Sequence, residues 1–312
     1  MNERLLKYLI CPACLPQELP LSYEITEKQG TDITTGSLLC HSCGSLFPID
    51  DGIAYLDPAG IKDSDSQNKY EQEETVSSCL WTHYADLFFD TNCNDAYTRW
   101  SKQLQPTSGL GLDLGGAAGR FTFELAGLCD FAVGIDNSVP LIRAARTLMQ
   151  DGELTIELKE EGKIRRKETI RLPRPWLNNN MAFIVADVLK IPIRAGSASI
   201  TCSLNLIDKV PKPRQHLLEM NRVSKQKDAQ LLLSSPFSWS KDVAKPKEWL
   251  GGKQRGPYAG LALDNIQTLL CTGMDHFAPT WQEEEKNHLW WKIRSHCNHY
   301  ELIRSCYLKV KR

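Results

Sequence analysis

A doubly wound, mostly parallel α/β sheet behind a small cysteine-bearing N-terminal domain is the fold that three observations predict. First, Gly111–Asp136 reads strand, glycine-rich turn, helix, strand, acidic residue, the opening unit of a nucleotide-binding sheet. Second, strand-length apolar runs alternate with helical segments from residue 110 to residue 235, which gives parallel strands with helices on both faces. Third, two Cys-x-x-Cys pairs, Cys11/Cys14 and Cys40/Cys43, stand 25 residues apart. Four thiolates from paired knuckles suit a tetrahedral, structural Zn²⁺.

The 312 residues suffice for one large domain and a small one. A net charge of −1 and an ordinary composition force neither a nucleic-acid nor a membrane partner. No apolar run approaches the roughly 20 residues that span a bilayer, and Met1–Cys14 lacks the apolar core and cleavage site of a signal peptide. Of the 11 cysteines, seven lie scattered beyond the knuckles. An odd, dispersed set fits reduced thiols and a cytoplasmic location better than a disulfide framework. The expected organisation is a zinc-binding domain over 1–58, a linker and pre-core helix over 59–105, and the large domain over 106–312.

Within 1–58, His41 reads as a spacer, because four sulfurs already close the metal site. Leu5–Cys14 (LLKYLICPAC), Leu39–Cys43 (LCHSC) and Phe47–Ile53 (FPIDDGI) together resemble the small zinc-binding domain of the tRNA-methyltransferase activator family. The resemblance implies a short helix before the first knuckle and a strand after the second. It also implies a structural or partner-contacting module rather than a catalytic one. The stretch between the knuckles shows no readable chemistry.

Asp57–Ser78 is polar and reads as a linker. Leu80–Trp100 is aromatic-rich, with Trp81, Tyr84, Phe88, Phe89, Tyr97 and Trp100. The helical spacing of Trp81, Tyr84 and Phe88 predicts a helix whose aromatic face packs on the sheet. Cys79, His83 and Cys93 match no standard metal spacing.

The central unit opens with Leu110, Leu112 and Leu114 as a strand, followed by the turn 115–119 and a helix over Arg120–Leu128. Small residues let a ligand approach the backbone, and the helix start offers unpaired N–H groups. Asp136, ending the second strand, can accept both hydroxyls of a ribose. Asp113-x-Gly115-x-Ala117-x-Gly119 resembles the first motif of class I S-adenosylmethionine (AdoMet) methyltransferases, with alanine at the middle glycine. A dinucleotide site would instead want G-x-G-x-x-G. The resemblance implies a Rossmann-like methyltransferase sheet, AdoMet as cofactor, and Asp113, Gly115, Ala117 and Gly119 around its methionine end. Ala117 is expected to keep the turn with a negative φ.

Val139–Met149 follows as the second helix, and Glu153–Leu158 with Ile164–Leu172 alternates as a charge-mixed hairpin. Ala182–Val185 is the third strand, and Asp187 with Val188 is placed to hold adenine. Ser199–Ser203 is the fourth, leading to Asn205 and Asp208. Asn205, at a strand's carboxyl end, lies where ligands bind in such sheets. It is a candidate to place the acceptor. Asp208 could orient a donor nitrogen or serve as a helix N-cap. Pro213–Val223 is a helix and Gln230–Ser235 the fifth strand.

The last third carries Ser235–Trp239 (SPFSW), Glu248–Gly252 (EWLGG) and Trp290–Arg294 (WWKIR), before a final edge strand at Cys306–Val310. With Ala117, Phe123–Ala126 (FELA), the hairpin and Asn205–Asp208 (NLID), these resemble the C-terminal methyltransferase domain of the ovothiol-biosynthesis enzymes. That domain N-methylates an imidazole. Trp239, Trp249, Trp291 and Arg294 are therefore the expected substrate wall: aromatic surface for a small ring, and a guanidinium that can pair a carboxylate. The expected partner is a small, nitrogenous, amino-acid-like or heteroaromatic molecule. Two alternatives stay open. One is an RNA or protein methyltransferase that docks its substrate on the zinc domain. The other is a binding protein that keeps the fold without catalysis.

Overall fold

The computed structural model describes residues 1–58, 73–88, 90–178 and 180–312. Most of the expected linker, and Phe89, lie outside the described residues.

Among the described residues, eleven strands form one sheet. Five parallel strands make its centre: β5 (Leu110–Leu114), β6 (Phe131–Asp136), β9 (Met181–Val185), β10 (Ala198–Leu204) and β11 (Gln230–Ser235). They lie in the order β9-β6-β5-β10-β11. The order reverses direction between β5 and β10, and such a switch point opens a crevice at the carboxyl ends of the strands. Central strands are buried on both faces and therefore read as continuous apolar runs; all five residues of β5 and of β9 are buried.

The N-terminal region joins this sheet. β1 (Ser22–Gln29), β2 (Asp32–Leu39), β3 (Leu46–Asp50) and β4 (Ile53–Tyr55) form an antiparallel run. The β1–β2 hairpin fills the stretch between the knuckles. β4 then pairs parallel with β9, Ala54 opposite Ile184 and Tyr55 opposite Val185, and the Leu56 N–H continues to the Val185 carbonyl at 2.7 Å. On the far side, β13 (His299–Lys311) runs antiparallel to β11, and β12 (Gln282–His296) forms the outer edge. The expected short edge strand is thus part of a long hairpin and lies one position inside the edge.

Alternation along the strands sends side chains to two cores. One face gathers Leu112, Val133 and Leu231 with Leu5, Phe47 and Ile49 of the N-terminal region. It also takes Leu217 of α5 (Pro213–Val223) and Ile266 of α6 (Ala262–Thr272). The opposite face gathers Ala132, Ile200 and Leu232 under four helices. These are α1 (Glu73–Tyr84), α2 (Ala96–Ser101), α3 (Arg120–Ala126) and α4 (Val139–Asp151). The helical spacing read across Trp81, Tyr84 and Phe88 holds for α1; a 3-10 turn at Ala85–Phe88 then separates it from α2. The charge-mixed hairpin stands apart as a two-stranded sheet, β7 (Glu153–Glu161) with β8 (Ile164–Arg171). Among the described residues, no helix is long and apolar enough to cross a membrane.

Candidate functional site

A cavity of about 330 Å³ opens at the carboxyl ends of β5, β6, β9 and β10. Asp113, Gly115, Ala117, Asp136, Asp187 and Val188 all line it. The glycine-rich turn is shaped by close approach. A Cβ on Gly116 would stand 2.7 Å from Asp113 Oδ2, and one on Gly119 2.6 Å from the Phe183 ring. Gly119 therefore packs the turn onto β9 rather than lining the cavity. Ala117 corrects the expectation of a negative φ, for it sits at φ 46°. A left-handed alanine costs about 1–2 kcal/mol. Its N–H is fixed by a 2.9 Å bond to Asp136 Oδ2.

Asp136 also accepts the Ser138 N–H at 2.9 Å on its other oxygen. Asp187 accepts the Leu189 N–H at 2.8 Å, which sets its carboxylate at the end of β9. Asp113 is buried and accepts the Thr122 hydroxyl at 2.7 Å. Burial, reinforced by the nearby Asp136 charge, pushes its carboxyl up to about 7 against the pull of Thr122. The turn, the paired acidic strand ends and the apolar Val188 and Leu141 flanks fit an AdoMet molecule in its usual lie across such a sheet. When bound, AdoMet supplies a methyl group on a positively charged sulfur.

Elements distant in sequence also line the cavity: Cys79 and His83 of α1, Tyr97 of α2, Trp291 of β12 and Asn205 after β10. Sequence reasoning passed over Cys79, His83 and Tyr97 as ligand contacts; the helical run of Trp81 and Tyr84 drew attention to the packed face instead. Trp81 and Tyr84 are fully buried, and the Tyr84 hydroxyl donates to the Ala118 carbonyl at 2.6 Å, clamping α1 onto the turn. Arg120, 4% exposed, ties α1, α2 and α3 together. It bonds the His83 carbonyl at 2.8 Å, Asp86 at 2.7 Å, Glu124 at 2.9 Å and Thr98 at 3.2 Å. Asn205 has φ 57°, and its side-chain oxygen accepts the hydroxyl of the buried Ser305 on β13.

Besides Gly119, four expected site residues are placed elsewhere. Asp208 is buried and accepts Ser235 Oγ at 3.0 Å, the Ser238 N–H at 2.9 Å and the Lys209 ammonium at 3.0 Å. It anchors the segment after β11 and is neither a cavity group nor a helix N-cap. Trp239 and Trp249 stack on each other at 6.2 Å with a 16° interplanar angle, because the 236–261 segment folds on itself. Arg294, 3% exposed, is held by Glu160 of β7 at 2.7 Å. Of the expected substrate wall, Trp291 alone lines the cavity.

The four knuckle cysteines converge on a separate point, their ligand atoms all within 4.8 Å of one another. The Cys11–Cys43 and Cys14–Cys40 sulfur separations are 3.7 and 3.8 Å. Tetrahedral zinc with bonds of about 2.3 Å requires sulfur separations of about 3.8 Å, so the donor set and its size fit structural Zn²⁺. This is the one such cluster among the described residues.

Comparison with known proteins matches both regions of the chain. Residues 2–52 match the family described as Trm112p-like protein, and residues 112–229 match the family described as methyltransferase domain. No curated protein matches the chain. Among solved structures, the chain is similar to one from a complex containing the Haloferax volcanii Trm112 methyltransferase activator. There the identity is 10%, the TM-score 0.47, and the match covers 78% of this chain and 98% of that one. It is similar to a SAM-dependent methyltransferase from Aquifex aeolicus at 11% identity and TM-score 0.42, covering 77% and 97%. A SAM-dependent methyltransferase from Methanosarcina mazei is similar at 16% identity and TM-score 0.42, covering 68% and 95%. The chain therefore carries an S-adenosylmethionine-dependent methyltransferase domain behind a Trm112p-like zinc-binding domain.

Proposed function

We propose that the chain transfers the AdoMet methyl group to a small nitrogenous acceptor, heteroaromatic or amino-acid-like, held inside the cavity. The observation that carries this reading is that Cys79, His83, Tyr97 and Trp291 line the same cavity as Asn205 and the glycine-rich turn. An aromatic wall suits a flat, compact molecule. In the proposed arrangement Asp136 holds the ribose, Asp187 and Val188 the adenine, and Asp113, Gly115 and Ala117 the methionine end. Asn205 faces the acceptor. The resemblance to imidazole N-methyltransferases supports a heteroaromatic ring in particular. Methyl transfer needs a positioned lone pair and a site without water; the carbon–nitrogen bond forms as the carbon–sulfur bond breaks, its electron pair staying on sulfur.

The test is label transfer from methyl-tritiated AdoMet to a metabolite pool, to total RNA and to protein, each presented separately. Label appearing in small polar molecules supports the reading. Label confined to RNA or protein overturns it, and the zinc domain then becomes the candidate substrate dock.

A further inference from the structure

We infer that His83 takes a hydrogen bond from an N–H of the methyl acceptor, an inference that rests on the small nitrogenous acceptor proposed above. His83 stands at the end of α1 in the wall of the cavity that Asp136 and Asn205 also line. It is 6% exposed, and its Nδ1 is buried with no hydrogen-bond partner among the described residues. Buried polar atoms are rarely left without a partner, and each one so left is costly. An orphaned imidazole in a cavity wall is a place that a ligand completes.

The ring is also fixed in position. It packs on Tyr97 at 4.7 Å between centroids, and its backbone carbonyl is held by Arg120 at 2.8 Å. Burial, with the Arg120 charge beside it, drives the imidazole down to about 3. The ring is therefore neutral at physiological pH and keeps a free lone pair. Of its neighbours in the lining, Asn205 and Trp291 present N–H donors, while the Tyr97 hydroxyl can donate or accept. Asn205 has its carbonyl engaged by Ser305, which turns its amide N–H groups toward other partners. Trp291 offers only an N–H. An acceptor's own N–H needs a lone pair, and His83 supplies it.

This assignment narrows the acceptor class to a neutral ring with one nitrogen lone pair and one N–H, as in an azole. Methyl transfer moves positive charge from sulfur onto that ring. The N–H then becomes a stronger donor, so its bond to His83 tightens as the charge develops, which is the interaction that accelerates a reaction. No proton has to leave during the transfer; the second nitrogen releases it to water after the product departs. The faces of Tyr97 and Trp291 stabilise the same developing charge.

The experiment titrates imidazole and 1-methylimidazole into the full chain loaded with S-adenosylhomocysteine, followed by calorimetry and by ¹⁵N spectra of the histidine side chains. Imidazole is expected to move the His83 ring signals, identified by their loss in His83→Gln. It should bind about tenfold or more tightly than 1-methylimidazole, which lacks the N–H. His83→Gln should keep the wild-type AdoMet affinity and lose about 10- to 100-fold in kcat/KM for imidazole. Equal affinity for both probes with unmoved His83 signals overturns the assignment, as does equal methylation of imidazole by wild type and His83→Gln. If wild type binds AdoMet and neither probe, and labels only RNA or protein, the small-acceptor reading itself fails. If His83→Gln does not fold, the two-probe affinity comparison on the wild-type protein decides.

Discussion

Arg146 of α4 reaches across to Asp32 of β2 and pairs with it through both guanidinium nitrogens, Nη1 to Oδ1 at 3.0 Å and Nη2 to Oδ2. Arg146 is 2% exposed, and its Nε also donates to the Asp51 carbonyl at 3.2 Å. The pair links the methyltransferase helices to the zinc-bearing region where β4 meets β9. Removing one partner of a buried pair strands the other charge, at a cost of about 3–5 kcal/mol. Asp32→Ala should therefore lower stability by about that amount, read as a shift in the urea midpoint. Burial raises the Asp32 carboxyl, but Arg146 and the N-terminal ammonium outweigh it and hold it below its ordinary value. A depressed carboxylate stabilises the fold above its unfolded value and loses that contribution as pH falls through the folded one. The wild-type advantage over Asp32→Ala should thus shrink below about pH 4. An unchanged midpoint in the variant at neutral pH would remove the link.

Zinc should be coupled to the cofactor site. β4 is three residues long and follows directly on the second knuckle and β3, yet it covers the edge of β9, whose end carries Asp187 and Val188. A domain of this size draws much of its folding free energy from its metal. Protein purified without chelator should hold one zinc per chain by elemental analysis. Cys11→Ser, or metal removal, should disorder residues 1–58 and weaken AdoMet binding. Absence of zinc in the untreated protein, or AdoMet affinity indifferent to its removal, would refute the coupling.

The motif part of the cavity lining was readable because its residues are local. Asp113 through Asp136 span one strand–turn–helix–strand unit, and that unit's spacing reports its backbone path. The rest of the lining was legible only in part: Asn205 and Trp291 were expected, whereas Cys79, His83 and Tyr97 join them only after the sheet has folded. Aromatic content alone did not separate Trp291 from Trp239 and Trp249, which satisfy each other by stacking. The sheet's core strands followed from their apolar runs. The joining of β4 to β9 did not, since three residues carry no period. The sign of φ at Ala117 was equally hidden: it follows from the bond between its N–H and Asp136, a contact between two ends of the motif.

Asp136 carries the most direct cofactor prediction. Its carboxylate braces the turn through Ala117 and would meet the ribose hydroxyls on the cavity side. Asp136→Ala should weaken AdoMet binding by about 1.5–3 kcal/mol, the range for hydrogen bonds to a charged group. Calorimetry giving wild-type affinity would move the ribose contact elsewhere, and tighter binding of NAD than of AdoMet would contradict the cofactor assignment.

Asp113 should make AdoMet binding depend on pH. Its buried carboxyl is raised to about 7, first by burial and then by the charge of Asp136. A carboxyl raised in the fold opposes stability as pH climbs: the unfolded chain ionises from about pH 4, and the penalty grows until the folded group ionises near 7. Asp113→Asn should therefore flatten the decline in stability between those values. Ligand binding runs the opposite way. AdoMet brings a sulfonium and an ammonium to the end of the cavity that Asp113 lines, and only the ionised carboxylate attracts them. Below about pH 7 binding must expel the Asp113 proton, so affinity should rise with pH by up to about tenfold per unit and level off above it. Calorimetry in two buffers of different ionisation enthalpy should detect that proton on the acidic side. In Asp113→Asn both the proton release and the slope should vanish. A wild-type affinity that stays flat from pH 5.5 to 8, on the order of the window set by that raised carboxyl, would mean that Asp113 serves the turn through Thr122 and not the cofactor.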